Sequence, residues 1–126
     1  MNKDFKTEIF QVLKRYLNGF IESDIDMINS CIAYPLAHVG NDKVTMLKEF
    51  PIDLEKLKQE KGWATSDNFE IDIVSVSEQK AHALIRNCRR IRKDGSLIEE
   101  ASGFYAFQKT SDGWKIFAFS DITIPA

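Results

Sequence analysis

The sequence contains few of the residues that mark specialised proteins. Its 126 residues include two cysteines, two histidines and three prolines. Cys31 and Cys88 are too few for a disulfide scaffold, so we expect both to be buried free thiols in a reduced compartment. The two histidines have no cysteine or carboxylate at ligand spacing. We therefore expect neither a metal nor another cofactor.

The chain also lacks an excess of charge and a long apolar run. Its net charge is -2 and its isoelectric point is about 5.7, so no global basic field would draw nucleic acid. No segment approaches the roughly 18 apolar residues that a membrane span requires, and the N-terminus is not typical of a secretion signal. We expect a cytoplasmic protein with no nucleic-acid or membrane partner, and a single domain over residues 1–126.

The N-terminal segment shows the strongest helical pattern in the chain. Apolar residues recur at intervals of three and four residues, with charged residues between them. The members of this stripe are Phe5, Ile9, Val12, Leu13, Tyr16, Leu17 and Phe20. The pattern predicts an amphipathic helix with a tyrosine, Tyr16, in the middle of its buried face.

Two further helices are predicted from capping residues. Ser23, followed by Asp26 in the position of a capping-box acid, predicts the start of a second helix that Pro35 ends. A third helix is predicted with Pro51 in its first turn and Gly62 as its C-terminal stop. Helices confined to the N-terminal half indicate that a sheet must form from the rest of the chain.

Strand patterns follow. The segment PLAHVGNDKVTML predicts two short extended pieces around a Gly-Asn-Asp turn. From Phe69 the apolar period changes to two, and four strands are predicted in FEIDIVSVS, KAHALIRNCRRIR, LIEEASGFYAFQK and WKIFAFSDITI. Short, turn-rich links favour an antiparallel meander. The fold class predicted is α+β, with three N-terminal helices packed on a curved antiparallel sheet.

One hairpin register can be tested from charges. A two-residue turn at Asp94-Gly95 places Arg90 opposite Glu99 and Arg89 opposite Glu100. Both are pairs of opposite charge, which supports the register and favours a solvated, ion-paired end of the sheet for the basic run RNCRRIRK. No stacking aromatics interleave with this run, so it is not typical of a nucleic-acid site.

Counting on from these pairs, and from a four-residue TSDG loop, assigns the strand residues to two faces. Arg86 then lies opposite Gly103, and Gly103 opposite Ser120. The first face carries Leu84, Arg86, Gly103, Tyr105, Phe107, Trp114, Ile116, Ala118 and Ser120. The second face carries Ala83, Ile85, Phe104, Ala106, Phe117 and Phe119.

Both faces are largely apolar, although helices can cover only one of them. We expect the second face to pack against another copy of the chain. A homodimer with Ile85, Phe104, Phe117 and Phe119 at its interface is predicted.

Three helices, the second ending in AYP, and a curved sheet ending in DGWKIFAFSDI resemble the nuclear transport factor 2-like superfamily. This superfamily includes ketosteroid isomerases, scytalone dehydratase and SnoaL-like polyketide cyclases. The resemblance covers nearly the whole chain. It implies a cone-shaped α+β roll whose helices close over the concave sheet face around a pocket, and whose outer face often dimerises.

The resemblance also suggests a role for the tyrosine. Ketosteroid isomerases carry a helix similar to VLKRYLNGFIESDID, in which the tyrosine matched by Tyr16 donates a hydrogen bond to a developing enolate oxygen. Their carboxylate base aligns with Gly40 and their second acid with Gly103. Because both positions are glycine, steroid isomerase activity is not expected. A dehydratase would use a histidine base, and His38 lies on the same strand face as Gly40.

The predicted site binds a small, partly apolar organic ligand. Arg86 needs an anionic partner in an apolar cavity, and a ligand carboxylate or enolate oxygen could be that partner. Its predicted members are Tyr16, Phe20, Tyr34, His38, Leu84, Arg86, Tyr105, Ala118 and Ser120. His38 is the candidate base and Tyr16 the candidate hydrogen-bond donor of an isomerase, cyclase or dehydratase. Two alternatives remain open, namely that Tyr16 is an ordinary core residue and that the protein is a non-enzymatic dimerisation or interaction module.

Overall fold

The computed structural model describes residues 4–126. Its helices are α1 (Phe5–Glu22), α2 (Ile25–Asn29) and α3 (Leu54–Lys61). Its strands are β1 (Ile32–Val39), β2 (Val44–Leu47), β3 (Trp63–Asp67), β4 (Glu70–Val76), β5 (Lys80–Arg92), β6 (Leu97–Thr110) and β7 (Gly113–Pro125). The α+β prediction is confirmed, with N-terminal helices packed on a curved sheet of seven strands.

The first helix buries the predicted stripe, including Tyr16. The prediction that Ser23 caps the second helix is wrong. Ser23 adopts the left-handed conformation (φ 56°) that ends α1, and its N–H bonds to carbonyls of that helix. The next residue, Asp24, caps α2 by accepting a hydrogen bond from the N–H of Met27.

The second helix is also shorter than predicted. It ends at Asn29, and Pro35 lies inside β1 rather than at a helix end. A proline has no N–H to donate to a sheet, so it needs a place where pairing is interrupted. Pairing of β1 with β7 skips from Ile32 to Ala37, and Pro35 lies in that gap.

The third helix follows its prediction at the C-terminal end only. Gly62 ends it in the left-handed conformation, whereas the helix starts at Leu54 with Asp53 as its cap, and Pro51 precedes it. The strand β3 that follows was not predicted, because WATSD has no alternation of apolar and polar residues. It pairs with the end of β5.

The sheet has the order β2-β1-β7-β6-β5-β3, with β4 also paired to β5. The Gly-Asn-Asp turn and the antiparallel pairing of the three long hairpins are as predicted. The two-residue turn predicted at Asp94-Gly95 is wrong, because the N–H of Arg92 bonds to the carbonyl of Ser96 and the loop has three residues. The pair β1–β7 is parallel, so the sheet is mixed rather than purely antiparallel. The parallel pair forms because β1, which follows α2 in the chain, lies beside β7 and runs in the same direction.

The hairpins β5–β6 and β6–β7 depart from their predicted registers at inserted residues. Arg90 pairs with Glu99, as predicted, but a bulge containing Asn87 (φ 58°) shifts the pairing so that Ile85 lies opposite Gly103. A second irregularity in β7, at Phe117, places Gly103 opposite Asp121.

These shifts exchange the faces of several residues, because side chains alternate along a strand. The inward placement predicted for Leu84, Arg86, Ala118 and Ser120 is wrong. The outward placement predicted for Ala83, Ile85 and Phe119 is wrong too. The inner face of β6 carries Gly103, Tyr105 and Phe107, as predicted, and its outer face carries Phe104.

The core lies between the helices and the inner sheet face. Its fully buried large side chains are Ile9, Leu13, Ile28, Cys31, Leu36, Phe107 and Ile116. Cys31 and Cys88 are buried free thiols. No helix among residues 4–126 combines the length and the apolar character needed to cross a membrane.

Candidate functional site

A cavity of about 190 Å³ lies between α1, α3 and the concave face of the sheet. Most of its wall is apolar and comes from the side chains of Leu17, Phe20, Ile21, Phe50, Ile52, Leu57, Trp63, Phe69, Ile85, Cys88, Ala101 and Phe119. Its polar members are Tyr16, Lys61, Ser66, Arg90, Ser102, Tyr105 and Asp121. An apolar cavity of about 150 Å³ accommodates benzene, so this one can hold a molecule of about one ring with a short substituent.

Two buried tyrosines form part of the cavity wall. Tyr16 and Tyr105 are 4% and 8% exposed, and their rings meet edge to face with centroids 5.5 Å apart. Tyr16 also packs edge to face on Phe20, and Tyr105 stacks parallel to Phe119. Aromatic neighbours on several sides fix both rings, and hence both hydroxyls, in place.

The absence of a side chain at Gly103 lets the Tyr105 ring lie along its own strand. A Cβ atom at residue 103 would approach the Tyr105 hydroxyl oxygen and Cε1 to 2.7 Å. The phenol therefore occupies the space that a side chain at residue 103 would fill.

Both tyrosines remain protonated over the ordinary pH range. Burial raises the pKa of Tyr16 well above its usual value, and the nearby Tyr105 and Asp121 raise it further. Burial likewise raises the pKa of Tyr105, with Asp121 adding to the effect. Each hydroxyl can therefore donate a hydrogen bond to a ligand oxygen.

A carboxylate and a histidine lie beside the tyrosines. Asp121, opposite Gly103, contributes to the cavity wall, and its Oδ1 is 3.3 Å from Nε2 of His38. The His38 ring stacks on Phe119 with centroids 4.5 Å apart. Both polar side chains keep more than a third of their surface exposed, so protons can exchange with solvent. Within residues 4–126, no group of three or more His, Cys, Asp or Glu could hold a metal ion.

A cluster of charges lies where α3 meets β5 and β6. The carboxylate of Glu99, which is 7% exposed, accepts a hydrogen bond of 2.8 Å from Nζ of Lys61 and another from Arg90. The Arg90 guanidinium stacks over the Trp63 ring at 4.9 Å. Lys61 and Arg90 both contribute to the cavity wall, which therefore has a cationic end and an acidic edge.

The structure brings together some of the predicted site residues. Tyr16, Phe20 and Tyr105 are on the cavity wall, and His38 reaches it through Asp121. The placement predicted for five others is wrong, namely Tyr34, Leu84, Arg86, Ala118 and Ser120. The Tyr34 hydroxyl donates to Asn29, and Arg86 pairs with Asp72 at 3.1 Å at the surface.

Several wall residues were missed for the same reason. Counted from the hairpin turns, Ile85, Phe119 and Asp121 lie beyond the two inserted residues. The predicted register therefore placed Ile85 and Phe119 on the wrong face and assigned Asp121 to neither face. A signal existed for one insertion, because asparagine tolerates the left-handed conformation that Asn87 adopts and is uncommon in a strand interior. Phe117 carries no such signal.

Comparisons with known proteins agree with this architecture. The model of a family described as NTF2-like protein (DUF6841) matches residues 7–122. No curated protein matches the sequence.

Solved structures of similar fold come from several bacteria. A protein from Streptomyces avermitilis, provisionally named a dehydratase of the NTF2-like family, is 15% identical, with a TM-score of 0.71 and full coverage of both chains. One from Novosphingobium aromaticivorans, provisionally named an aromatic ring hydroxylase, is 11% identical, with a TM-score of 0.69 and coverage of 98% of this chain and 94% of the other. An NTF-2-like protein of unknown function from Shewanella oneidensis is 20% identical, with a TM-score of 0.65 and coverage of 92% and 97%.

At these identities the solved structures show the fold alone, whereas the family model spans nearly the whole sequence. The chain belongs to the NTF2-like proteins of the DUF6841 family.

Proposed function

We propose that the protein binds a small, largely apolar ketone or enone in the cavity and moves a proton at the carbon next to the carbonyl. The observation that carries this proposal is the pair of buried tyrosine hydroxyls, Tyr16 and Tyr105, in a wall that is otherwise mostly apolar. Tyr16 is within hydrogen-bond reach of Tyr105, and both phenols are protonated, so the pair offers hydrogen-bond donors to a ligand oxygen in this otherwise apolar wall.

The residues divide the chemistry between them. The carboxylate of Asp121 accepts the proton from the carbon, and the electron pair moves to the carbonyl oxygen. Tyr16 and Tyr105 donate hydrogen bonds to the resulting enolate oxygen, whose negative charge they stabilise in a site largely shielded from water. His38 orients Asp121 and connects it with solvent. Reprotonation at the same or a conjugated carbon completes an exchange or an isomerisation.

The proposal is tested with a neutral probe, 4-ethylcyclohexanone, in deuterated water. We expect binding by calorimetry and incorporation of deuterium beside the carbonyl by NMR. Tyr16→Phe and Tyr105→Phe should each weaken binding by about tenfold, because each removes one buried hydrogen bond. Asp121→Asn should retain binding and lose the exchange.

Tyr34→Phe provides the matched control, because its hydroxyl bonds to Asn29 outside the cavity wall. This variant should bind and exchange like the wild type. Binding that survives in both cavity variants would overturn the role of the tyrosines. Exchange that survives in Asp121→Asn would overturn the role of the carboxylate.

A second candidate function is supported by the outer sheet face. Residues facing outward on adjacent strands leave an apolar surface in solvent, made of Val39, Val44, Met46, Phe104, Ile122 and Ile124. In this row Val44 lies beside Val39, which lies beside Ser120, which lies beside Phe104. We propose that this face packs against a second copy to form a homodimer. Of the four residues predicted for the interface, Phe104 is kept. Ile85 and Phe119 are replaced because they lie on the cavity wall, and Phe117 is left out because it lies at the irregularity in β7.

Phe104→Glu is expected to convert the dimer into a monomer, because a charge would be buried at the interface. Sedimentation velocity measures the change in mass. Phe10→Glu is the control, since Phe10 is an exposed phenylalanine on α1, far from the outer sheet face. A wild-type protein that sediments as a monomer would contradict the proposal.

A further inference from the structure

The cationic end of the cavity has more positive charge than its buried carboxylate neutralises. Lys61 and Arg90 share one oxygen of Glu99, so two cations face a single anion. A third cation, Lys58, lies over the Trp63 ring that Arg90 also contacts, with its Nζ 5.3 Å from the ring centroid. The bond to Glu99 uses one of the five guanidinium donors of Arg90 and one of the three ammonium donors of Lys61.

The charge of the cavity changes sign along its length. Asp121 lies opposite Gly103 at the tyrosine end, whereas Glu99 and its two cations lie four residues away along β6. Four residues of a strand span about 13 Å. A negatively charged group is therefore disfavoured beside Asp121 and favoured beside Lys61 and Arg90. Because Lys61, Arg90 and the two tyrosines line the same cavity, a ligand that reaches both ends needs a chain attached to its ring.

We infer that the ligand is an oxo-carboxylic acid, with its carboxylate held by Arg90 and Lys61 and its ketone oxygen at Tyr16 and Tyr105. The inference rests on the proposed function for the ketone end and adds the second recognition point. Ser66, which also contributes to the wall and accepts a hydrogen bond from Trp63, can donate its own hydroxyl proton to the same carboxylate. The apolar walls between the two ends accommodate the ring.

The charge recognition can be separated from the ketone recognition with matched probes. We use 3-(4-oxocyclohexyl)propanoate and its primary amide, which have the same ring and differ by one charge. Wild-type protein should bind the acid about tenfold more tightly than the amide, since hydrogen bonds to charged groups are the stronger ones. Salt should reduce this ratio.

Lys61→Met should reduce the ratio to about threefold while leaving the Arg90–Glu99 pair in place. Lys56→Met is the control, because Lys56 is an exposed lysine of the same helix away from the cavity wall. It should keep the wild-type ratio.

The outcomes distinguish the two proposals. Equal binding of acid and amide, together with tyrosine-dependent binding of 4-ethylcyclohexanone, overturns the carboxylate inference alone. A ratio that persists in Lys61→Met overturns the assignment of its carboxylate to this cluster. No binding of any of the three probes overturns both proposals.

Discussion

Gly103→Ala is expected to lower the free energy of unfolding by about 1–3 kcal/mol and to weaken ketone binding by about tenfold or more. The added methyl would lie 2.7 Å from the Tyr105 hydroxyl oxygen, and the ring cannot swing freely because Tyr16 and Phe119 pack against it. Relief of the clash must move the hydroxyl away from the position that we assign to the ligand oxygen. Chemical denaturation and calorimetry with 4-ethylcyclohexanone measure the two effects.

A double variant tests the cause. In Gly103→Ala/Tyr105→Leu the clash with the phenol is removed. Gly103→Ala should therefore lower the free energy of unfolding less in the Tyr105→Leu background than in the wild type. Ketone binding should stay weak, since the hydroxyl is gone. Ser102→Ala, at the exposed neighbouring residue, is the control and should change the free energy of unfolding by about 0.5 kcal/mol or less. If Gly103→Ala kept the stability and the ketone affinity of the wild type, the position of the Tyr105 ring would not depend on this glycine.

The same glycine shows how far sequence patterns reach. The helix periodicity placed Tyr16 correctly, because a 3.6-residue repeat over four turns tolerates no other register. Alternation in β6 placed Gly103 and Tyr105 correctly on the inner face. What alternation did not predict is that the tyrosine ring lies over the glycine, since this depends on packing from α1 and β7.

Errors of register began where one residue was inserted. The charge pair Arg90–Glu99 fixed the hairpin near its turn, but alternation has a period of two, so one insertion at Asn87 inverted every later assignment in β5. Hydrophobicity did not reveal the error, because both sheet faces are apolar and either register buries apolar side chains. A cavity wall and an exposed apolar outer face give the same pattern in a sequence.

Arg86 and Arg90 illustrate the consequence for function. The anion partner was assigned to Arg86, which the structure places at the surface beside Asp72 with about half of its side chain exposed. Arg90, by contrast, had been assigned only a structural pair with Glu99. The Arg90–Glu99 pair exists, but it lies beside the cavity. Lys61 also contacts Glu99, and this contact depends on where α3 packs, which the alternation of residues along a strand does not predict.

Glu99→Gln is expected to lower the free energy of unfolding by about 3 kcal/mol at neutral pH. The amide is nearly isosteric, so the loss comes from leaving Lys61 and Arg90 without their shared carboxylate rather than from a change in packing. Glu100→Gln is the matched control. Glu100 lies opposite Arg89, whose guanidinium instead approaches Asp67 at 3.9 Å, so this change should cost about 0.5 kcal/mol or less.

The cost of Glu99→Gln should also depend on pH in a defined direction. Burial alone would raise the pKa of Glu99, but hydrogen bonds from Lys61 and Arg90 outweigh it and lower the pKa below the ordinary value of 4.5. A carboxyl group whose pKa is lower in the folded chain stabilises the fold fully above its unfolded pKa. This contribution is lost as the pH falls through the folded pKa. The difference between wild type and Glu99→Gln should therefore shrink on acidification from neutral pH to below the ordinary pKa of 4.5, because a glutamate that gains a proton loses the charge that glutamine also lacks. Asp94 also has a lowered pKa, but it is present in both proteins and cancels in the comparison. A difference that stays constant across this range would show that the carboxylate charge does not hold the two cations.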